Sequence, residues 1–305
     1  MKLMTFSYST NLFFNDNLPG PEVFPLKCWA DVSGTFSPPK TQDYELGIAA
    51  ASQANLYVND ELVIDNSTNP QPGELWFNFG SAERRSTKHF EAGKSYVIKA
   101  RLHYNPDGAQ AAGTFSPVSR GGVRFGISPT KSQDEFIKEA LDVCDGADLV
   151  LSFVGLNNDF ESESFDRPDM RLPDSANAFM DAIASTNKNT VAIVQTGTPV
   201  EMPWANKVKS IYQAFYGGNE TGNGIADVLF GKHNPSAKLP LTFPALLQDN
   251  PSHLNFGGEN GRVFYSEGVF VGYRHFDTAQ REPLFPFGKG LRLVVLVDKF
   301  IITDL

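Results

Sequence analysis

Between about residues 29 and 128, apolar side chains recur at every second position. Tyr44, Leu46 and Ile48 alternate with Glu45 and Gly47, and Tyr96, Ile98, Ala100, Leu102 and Tyr104 keep the same period. Leu56 and Val58 run into Asn59 and Asp60, and Leu62 and Ile64 follow, which is the pattern of a β-hairpin. Val123, Phe125 and Ile127 close the region. Half-buried strands joined by Gly, Asn and Asp turns predict an antiparallel sandwich or barrel over residues 1–128.

After Pro129 the period becomes helical. Ser132 with Glu135 has capping-box spacing, and Phe136, Ile137, Ala140, Leu141 and Cys144 then recur at three and four until Gly146 stops the helix. A strand is expected at 148–154, a helix from an Asp174 N-cap through Phe179, Met180 and Ile183, strands at Thr190–Gln195 and Val208–Tyr216, and a helix at Asn219–Phe230 closed by Gly231. This alternation predicts a mainly parallel sheet with right-handed crossovers and helices on both faces. The run Leu149–Val154 reads as a strand buried on both faces. The fold class is therefore α+β multidomain: an antiparallel sandwich at 1–128, an α/β sandwich at 129–250 and a C-terminal extension at 251–305.

Composition narrows the function. The chain has 305 residues, room for about two cores, and a net charge of −9. Its densest basic patch, around Arg84 and Arg85, is short, so a nucleic-acid partner is not expected. No apolar run approaches the roughly twenty residues of a spanning helix, so no membrane partner is expected, and the first residues lack a signal-peptide pattern, which favours a cytoplasmic over a secreted location. Secretion of a longer parent stays open. Cys28 and Cys144 fall in different predicted domains and read as buried thiols. Asn66 and Asn219 begin formal glycosylation sequons, read as chance occurrences. Oligomeric state, including a homo-oligomer, is left open.

The chemistry concentrates in Gly155–Pro173, at the carboxyl end of the first predicted parallel strand, where such sheets place their sites. The spacing Asn157, Asp159, Glu161, Glu163 suggests a calcium loop, but Ser162 and Pro168 stand where Gly and Glu are needed, so no metal is expected. Phe160, Phe165, Pro168 and Met170 interleave the acids, and carboxyls beside aromatic walls are where a raised pKa permits general acid catalysis. Asp166 and Arg167 read as a pair holding the loop. Gly217, Gly218 and Asn219 read as a tight turn with Asn219 as helix cap, and Trp204 as core.

Two resemblances carry this further. Asp31–Asn66 and Phe90–Tyr104 resemble a PA14 domain, a β-sandwich often appended to glycosidases, which implies a carbohydrate-facing role; the paired aspartates that bind calcium in some members are absent. ESESFDRPDMRLP (161–173), NTVAIVQTGTPVEMPW (189–204), YGGNETGNGIADVLFGKHNPSAKLPLTFP (216–244) and PLFPFGKGL (283–291) resemble the α/β-sandwich domain of family 3 glycoside hydrolases, in the fungal β-glucosidase branch.

That resemblance implies retaining hydrolysis of terminal non-reducing β-D-glucosyl groups from a β-glucoside or oligosaccharide, without a cofactor. The family's acid/base glutamate falls on Glu163, with Glu161 as second choice; Ser164 stands for the family's Gly and Phe160 for its frequent Trp. Phe160 and, from the Gly/Ala-rich stretch 105–122, Phe115 and Arg120 are candidates for substrate contact. The family's nucleophile is an Asp on a preceding barrel, for which this sequence has no eight-fold repeat. A truncated chain with little turnover alone is expected, with a non-catalytic carbohydrate-binding fragment as the alternative. Residues 292–305 depart from the family, and Leu293–Val297 is an association risk.

Overall fold

The computed structural model describes residues 7, 9–13, 28–73, 75–104, 121–163 and 166–290. The chain divides into two compact units, Met1–Ser132 with Ser162–Phe165, and Gln133–Glu161 with Asp166–Leu305.

Period two becomes two antiparallel sheets in the first unit. One holds β1 (Asn11–Phe13), β8 (Gly122–Pro129), β3 (Gln42–Ala51) and β6 (Arg84–Phe90) in that spatial order; the other holds β2 (Cys28–Phe36), β7 (Tyr96–Tyr104), β4 (Gln53–Val58) and β5 (Glu61–Asn66). A short helix, α1 (Leu75–Asn78), lies between β5 and β6. Asn59 and Asp60, at φ 48° and 67°, form the expected turn of the β4–β5 hairpin, closing Val58 opposite Glu61. Leu46, Ile48 and Phe125 from one sheet and Leu56, Val58, Ile98 and Leu102 from the other share one core. Phe90 stands edge-on to Tyr44 and Tyr96, with ring centres 5.7 and 4.7 Å away.

The second unit carries the helical period. Its parallel sheet has the order β11 (Ser210–Gln213), β10 (Thr190–Gln195), β9 (Val150–Gly155). Helix α2 (Gln133–Cys144) precedes β9 and α3 (Asp174–Thr186) connects β9 to β10. Val154, Ala192 and Val194 pack with Met180 of α3, Leu172, Val200 and the wholly buried Trp204, whose indole N–H donates to Asn177 Oδ1 at 3.1 Å. Trp204 is core, as expected. A second cluster joins Cys144, Val150 and Ile183. Beyond β11 come α4 (Thr221–Leu229) and α5 (Tyr273–Ala279).

Several local expectations change. β9 is apolar on both faces but buried on one: Phe153 is 53 % exposed and Leu151 37 %. It is an edge strand, and its outer face has no complete cover among the described residues. Asp174 is the first helical residue rather than the cap; Pro173, at ψ 140°, takes the cap position, where its fixed φ suits helix entry. The third parallel strand spans Ser210–Gln213 only. Asn219 lies inside a single 3-10 turn, Gly218–Glu220, and caps nothing; Thr221 Oγ1 donates to the Gly218 carbonyl there at 2.7 Å. Leu293–Val297 lies outside the described residues.

Candidate active-site loop

The loop of residues 155–173 leaves β9 where two strands end in register, Gly155 opposite Gln195. A Cβ on Gly155 would stand 2.2 Å from the Gln195 carbonyl oxygen, so the strands approach here only because this residue is glycine. Leu156 N–H then donates to the same carbonyl at 3.0 Å. Asn157 starts a tight turn: its carbonyl accepts from Phe160 N at 3.0 Å and Glu161 N at 2.9 Å, and its side chain accepts from Asp159 N at 2.9 Å. Phe160 is left half-exposed on this turn, and Glu161 points inward.

Glu161 ties together the carboxyl ends of all three parallel strands. From its own loop after β9, it accepts from Gly197 N at 2.8 Å and Thr198 N at 3.0 Å beyond β10, and from the hydroxyls of Thr198 and of Tyr216 beyond β11. Arg167 Nη1 stands 3.8 Å from the same carboxylate, and the guanidinium also donates to Thr198 Oγ1 at 3.1 Å and to the Arg171 carbonyl at 2.9 Å. The ion-pair partner of Arg167 is thus Glu161 rather than the exposed Asp166. Asp169 accepts from Arg171 N and from its guanidinium, closing the loop's far end.

These contacts reverse the pKa expected of a carboxyl beside aromatic walls. Burial pushes the Glu161 pKa up, but hydrogen bonds from Thr198, Tyr216 and Gly197, with the Arg167 charge, outweigh it and hold the carboxyl below its ordinary value. Tyr216 responds in the opposite sense. Burial, the hydrogen bond to Glu161 and the carboxylate charge push its phenol up to about 12. Glu161 is therefore an anionic anchor, poorly suited to giving up a proton near neutral pH.

Glu163, two residues on, is exposed on a turn of the same loop. Phe115 and Arg120 lie outside the described residues. Among the described residues, no group of three or more His, Cys, Asp or Glu side chains could hold a metal ion. Gly197, Thr198 and Tyr216 were not singled out for roles by pattern alone. Their sequence signals are membership of the 189–204 and 216–244 stretches that carry the family resemblance, and position directly after strands of a parallel sheet, where side chains of different strands converge.

Known proteins resemble this chain over most of its length. The C-terminal domain of glycosyl hydrolase family 3 matches residues 27–273. A probable β-glucosidase I of Emericella nidulans is 43 % identical over 274 residues, covering 89 % of this chain and 32 % of the relative. A probable β-glucosidase J of Aspergillus fumigatus is 44 % identical over 275 residues, covering 89 % and 31 %. The crystal structure of a Kluyveromyces marxianus β-glucosidase in complex with glucose superimposes with a TM-score of 0.81 at 36 % identity, over 93 % of this chain and 33 % of that one. This chain thus spans about a third of the length of these relatives. With the match running through both structural units, the chain belongs to glycosyl hydrolase family 3, in the part that the family's C-terminal domain describes.

Proposed function

We propose that this chain supplies the acid/base half of a retaining β-glucosidase site, with Glu163 as the group that moves the proton. The observation carrying this reading is the division of labour in the 156–173 loop: Glu161, itself beyond β9, is fixed by donors from the ends of β10 and β11, while Glu163 faces solvent. The Kluyveromyces marxianus relative, crystallised with glucose, supports a glucoside as substrate class.

In the first half-reaction the Glu163 carboxylic acid gives its proton to the glycosidic oxygen as the bond from that oxygen to the anomeric carbon breaks. A second carboxylate attacks the same carbon from the opposite face. In the second half-reaction the Glu163 carboxylate takes a proton from water as the water oxygen displaces the nucleophile, so the proton inventory returns to its start. Retention needs two carboxyls about 5–5.5 Å apart. The resemblance implies that the nucleophile belongs to the two-thirds of the relatives not spanned here, and turnover by this chain alone is expected to stay at background. Phe160, half-exposed on the preceding turn, is a candidate wall for the sugar.

The test grafts this chain in place of the matching third of the Emericella nidulans relative. Glu163→Gln should lower kcat/KM by about 10²-fold or more on an alkyl β-glucoside, whose leaving oxygen needs a proton, and far less on a dinitrophenyl β-glucoside. Equal losses on both substrates, or a leaving-group dependence appearing in Glu161→Gln instead, would remove Glu163 from the role.

A further inference from the structure

We infer, from family membership and not from the role of Glu163, that residues 254–273 of the second unit are a docking seam. Its occupant is the part of the family polypeptide that this chain does not span, whether joined to it or separate. Five large apolar side chains in the stretch, Leu254, Phe256, Phe264, Tyr265 and Val269, are 60–92 % exposed. Apolar groups gathered in this way on a protein surface mark a place of contact.

Hydrogen bonds bring these groups together and keep them outside. Glu259 N–H donates to the Arg262 carbonyl at 2.8 Å and Arg262 N–H to the Glu259 carbonyl at 3.0 Å, around Asn260 and Gly261 at φ 51° and 74°. This two-residue turn reverses the chain, and Asn255 Nδ2 donates to Ser266 Oγ across it. Leu254 and Phe256 flank the donor of that bond and Tyr265 adjoins the acceptor, so apolar residues of both arms lie close together. Further on, Arg274 Nη1 donates to the Val269 carbonyl at 3.0 Å, and Tyr273 stacks on Phe287 with ring centres 5.3 Å apart. Phe285, two residues before Phe287, exchanges both backbone bonds with the wholly buried Phe243. The stretch is thereby tied to the core of its unit while its apolar side chains face outward.

The composition is that of a protein contact. Of the twenty residues, five are aromatic and three are charged, Glu259, Arg262 and Glu267. Enrichment in aromatics with depletion of charge is characteristic of the centre of a protein–protein interface. An anionic membrane surface would call for clustered Lys or Arg, and Arg262 is the single one in this stretch. The family match runs to residue 273, so the whole stretch belongs to what this chain shares with relatives of which it spans about a third. The other two-thirds of those relatives has this patch to rest on. The same unit is open at β9 as well, an edge strand with Leu151 and Phe153 on a face without complete cover among the described residues. A finished parallel sheet is covered on both faces, so the second unit has the surface of a partly assembled fold.

The test is hydroxyl-radical footprinting of the free chain and of the Emericella nidulans relative carrying this chain in place of its matching third. Phe256, Phe264 and Tyr265 should label readily in the free chain, and in the graft their labelling should fall to the level of the buried Phe243. The intact relative, footprinted over its segment matching residues 254–273, should show the same protection and gives the reading even where the graft fails to fold. Tyr265→Asp should leave the melting temperature of the free chain unchanged, because the side chain is open to water, and lower that of the graft. Neither measurement turns over a glucoside, so loss of the Glu163 role would leave the result standing. High labelling in both the graft and the intact relative, or equal melting losses in both forms of Tyr265→Asp, would overturn the seam. Protection already present in the free chain, with a dimer mass at the labelling concentration, would overturn it too by assigning the patch to a second copy.

Discussion

The hydroxyl of Tyr216 donates to the carboxylate of Glu161 across the ends of two parallel strands that are not adjacent in the sheet. The same hydroxyl reaches the Leu156 carbonyl at 3.1 Å, at the first residue of the loop that Glu161 stabilises. One phenol thus holds both ends of the turn that leads to Glu163. Glu161, the carboxylate that this phenol holds, lies two residues before the acid/base candidate in the sequence.

Tyr216→Phe removes both bonds while keeping the ring. A hydrogen bond to a charged group is worth about 1.5–3 kcal/mol, and with Tyr216 half-exposed solvent screens this one, so a stability loss at or below the low end of that range is expected in urea unfolding. In the grafted enzyme, kcat should fall more than KM rises, because the loop loses its position rather than its sugar contacts. Wild-type stability together with wild-type kcat in Tyr216→Phe would show that the phenol does not hold the loop.

The pH response of this network has a definite sign on each side. The folded pKa of Glu161 lies below its ordinary 4.5, so its contribution is complete above about pH 4.5 and disappears as pH falls through the folded value. Glu161→Gln should flatten that acid limb of the stability profile. The folded pKa of Tyr216 lies above its ordinary 10.0, at about 12, so its contribution is complete below pH 10 and is lost between about 10 and 12. Tyrosinate absorbance of the parent chain minus that of Tyr216→Phe should show one late-titrating phenol; a difference midpoint at 10 would contradict the arrangement.

Gly155→Ala tests the close approach of β9 and β10. The added methyl would meet the Gln195 carbonyl at 2.2 Å, a backbone atom that cannot rotate away. Destabilisation of about 1–3 kcal/mol, at the upper end of that range, is expected by thermal or chemical unfolding, with loss of the loop geometry that starts one residue later. A neutral substitution would mean that the strand ends are looser than they stand here.

The two sequons part company. Asn66 is fully buried, with its Nδ2 donating to Ser81 Oγ at 2.8 Å and its backbone N–H held by Asn55 Oδ1 at 3.0 Å. A glycan there cannot coexist with the sandwich, whereas Asn219 is exposed in its turn. Folded chain produced through a glycosylating secretory route should therefore carry sugar at Asn219 only, as read by peptide mass spectrometry. Occupancy at Asn66 in folded material would contradict the burial.

The β-sandwich was legible because a residue's face in a strand follows from its parity, and parity is visible in a list of letters: Leu46, Ile48, Leu56 and Val58 are all inside. The Asn59–Asp60 hairpin was equally local, since a primed turn selects residues that tolerate positive φ. For the parallel sheet, the alternation of elements sufficed for the layer type. It did not reveal that the outer face of β9 would lie open, because burial depends on what packs against a strand as well as on its composition.

The candidate loop, residues 155–173, divides along the same line. Its place after the first parallel strand, and its mixture of carboxyls with aromatics, could be read from the sequence by itself. Which carboxyl is an anchor could not. Gly197, Thr198 and Tyr216 lie 36, 37 and 55 residues from Glu161, and only the parallel pairing of β9, β10 and β11 brings their donors to one carboxylate. The exposed Trp29 is the same lesson on the other unit. Its residue type and position were in the sequence, but its stacking on His103, 74 residues away by their numbers, exists only because β2 and β7 are antiparallel neighbours. Local conformational preference is set by neighbours along the chain, whereas a site is set by distances across it, and those appear only when the sheets have closed.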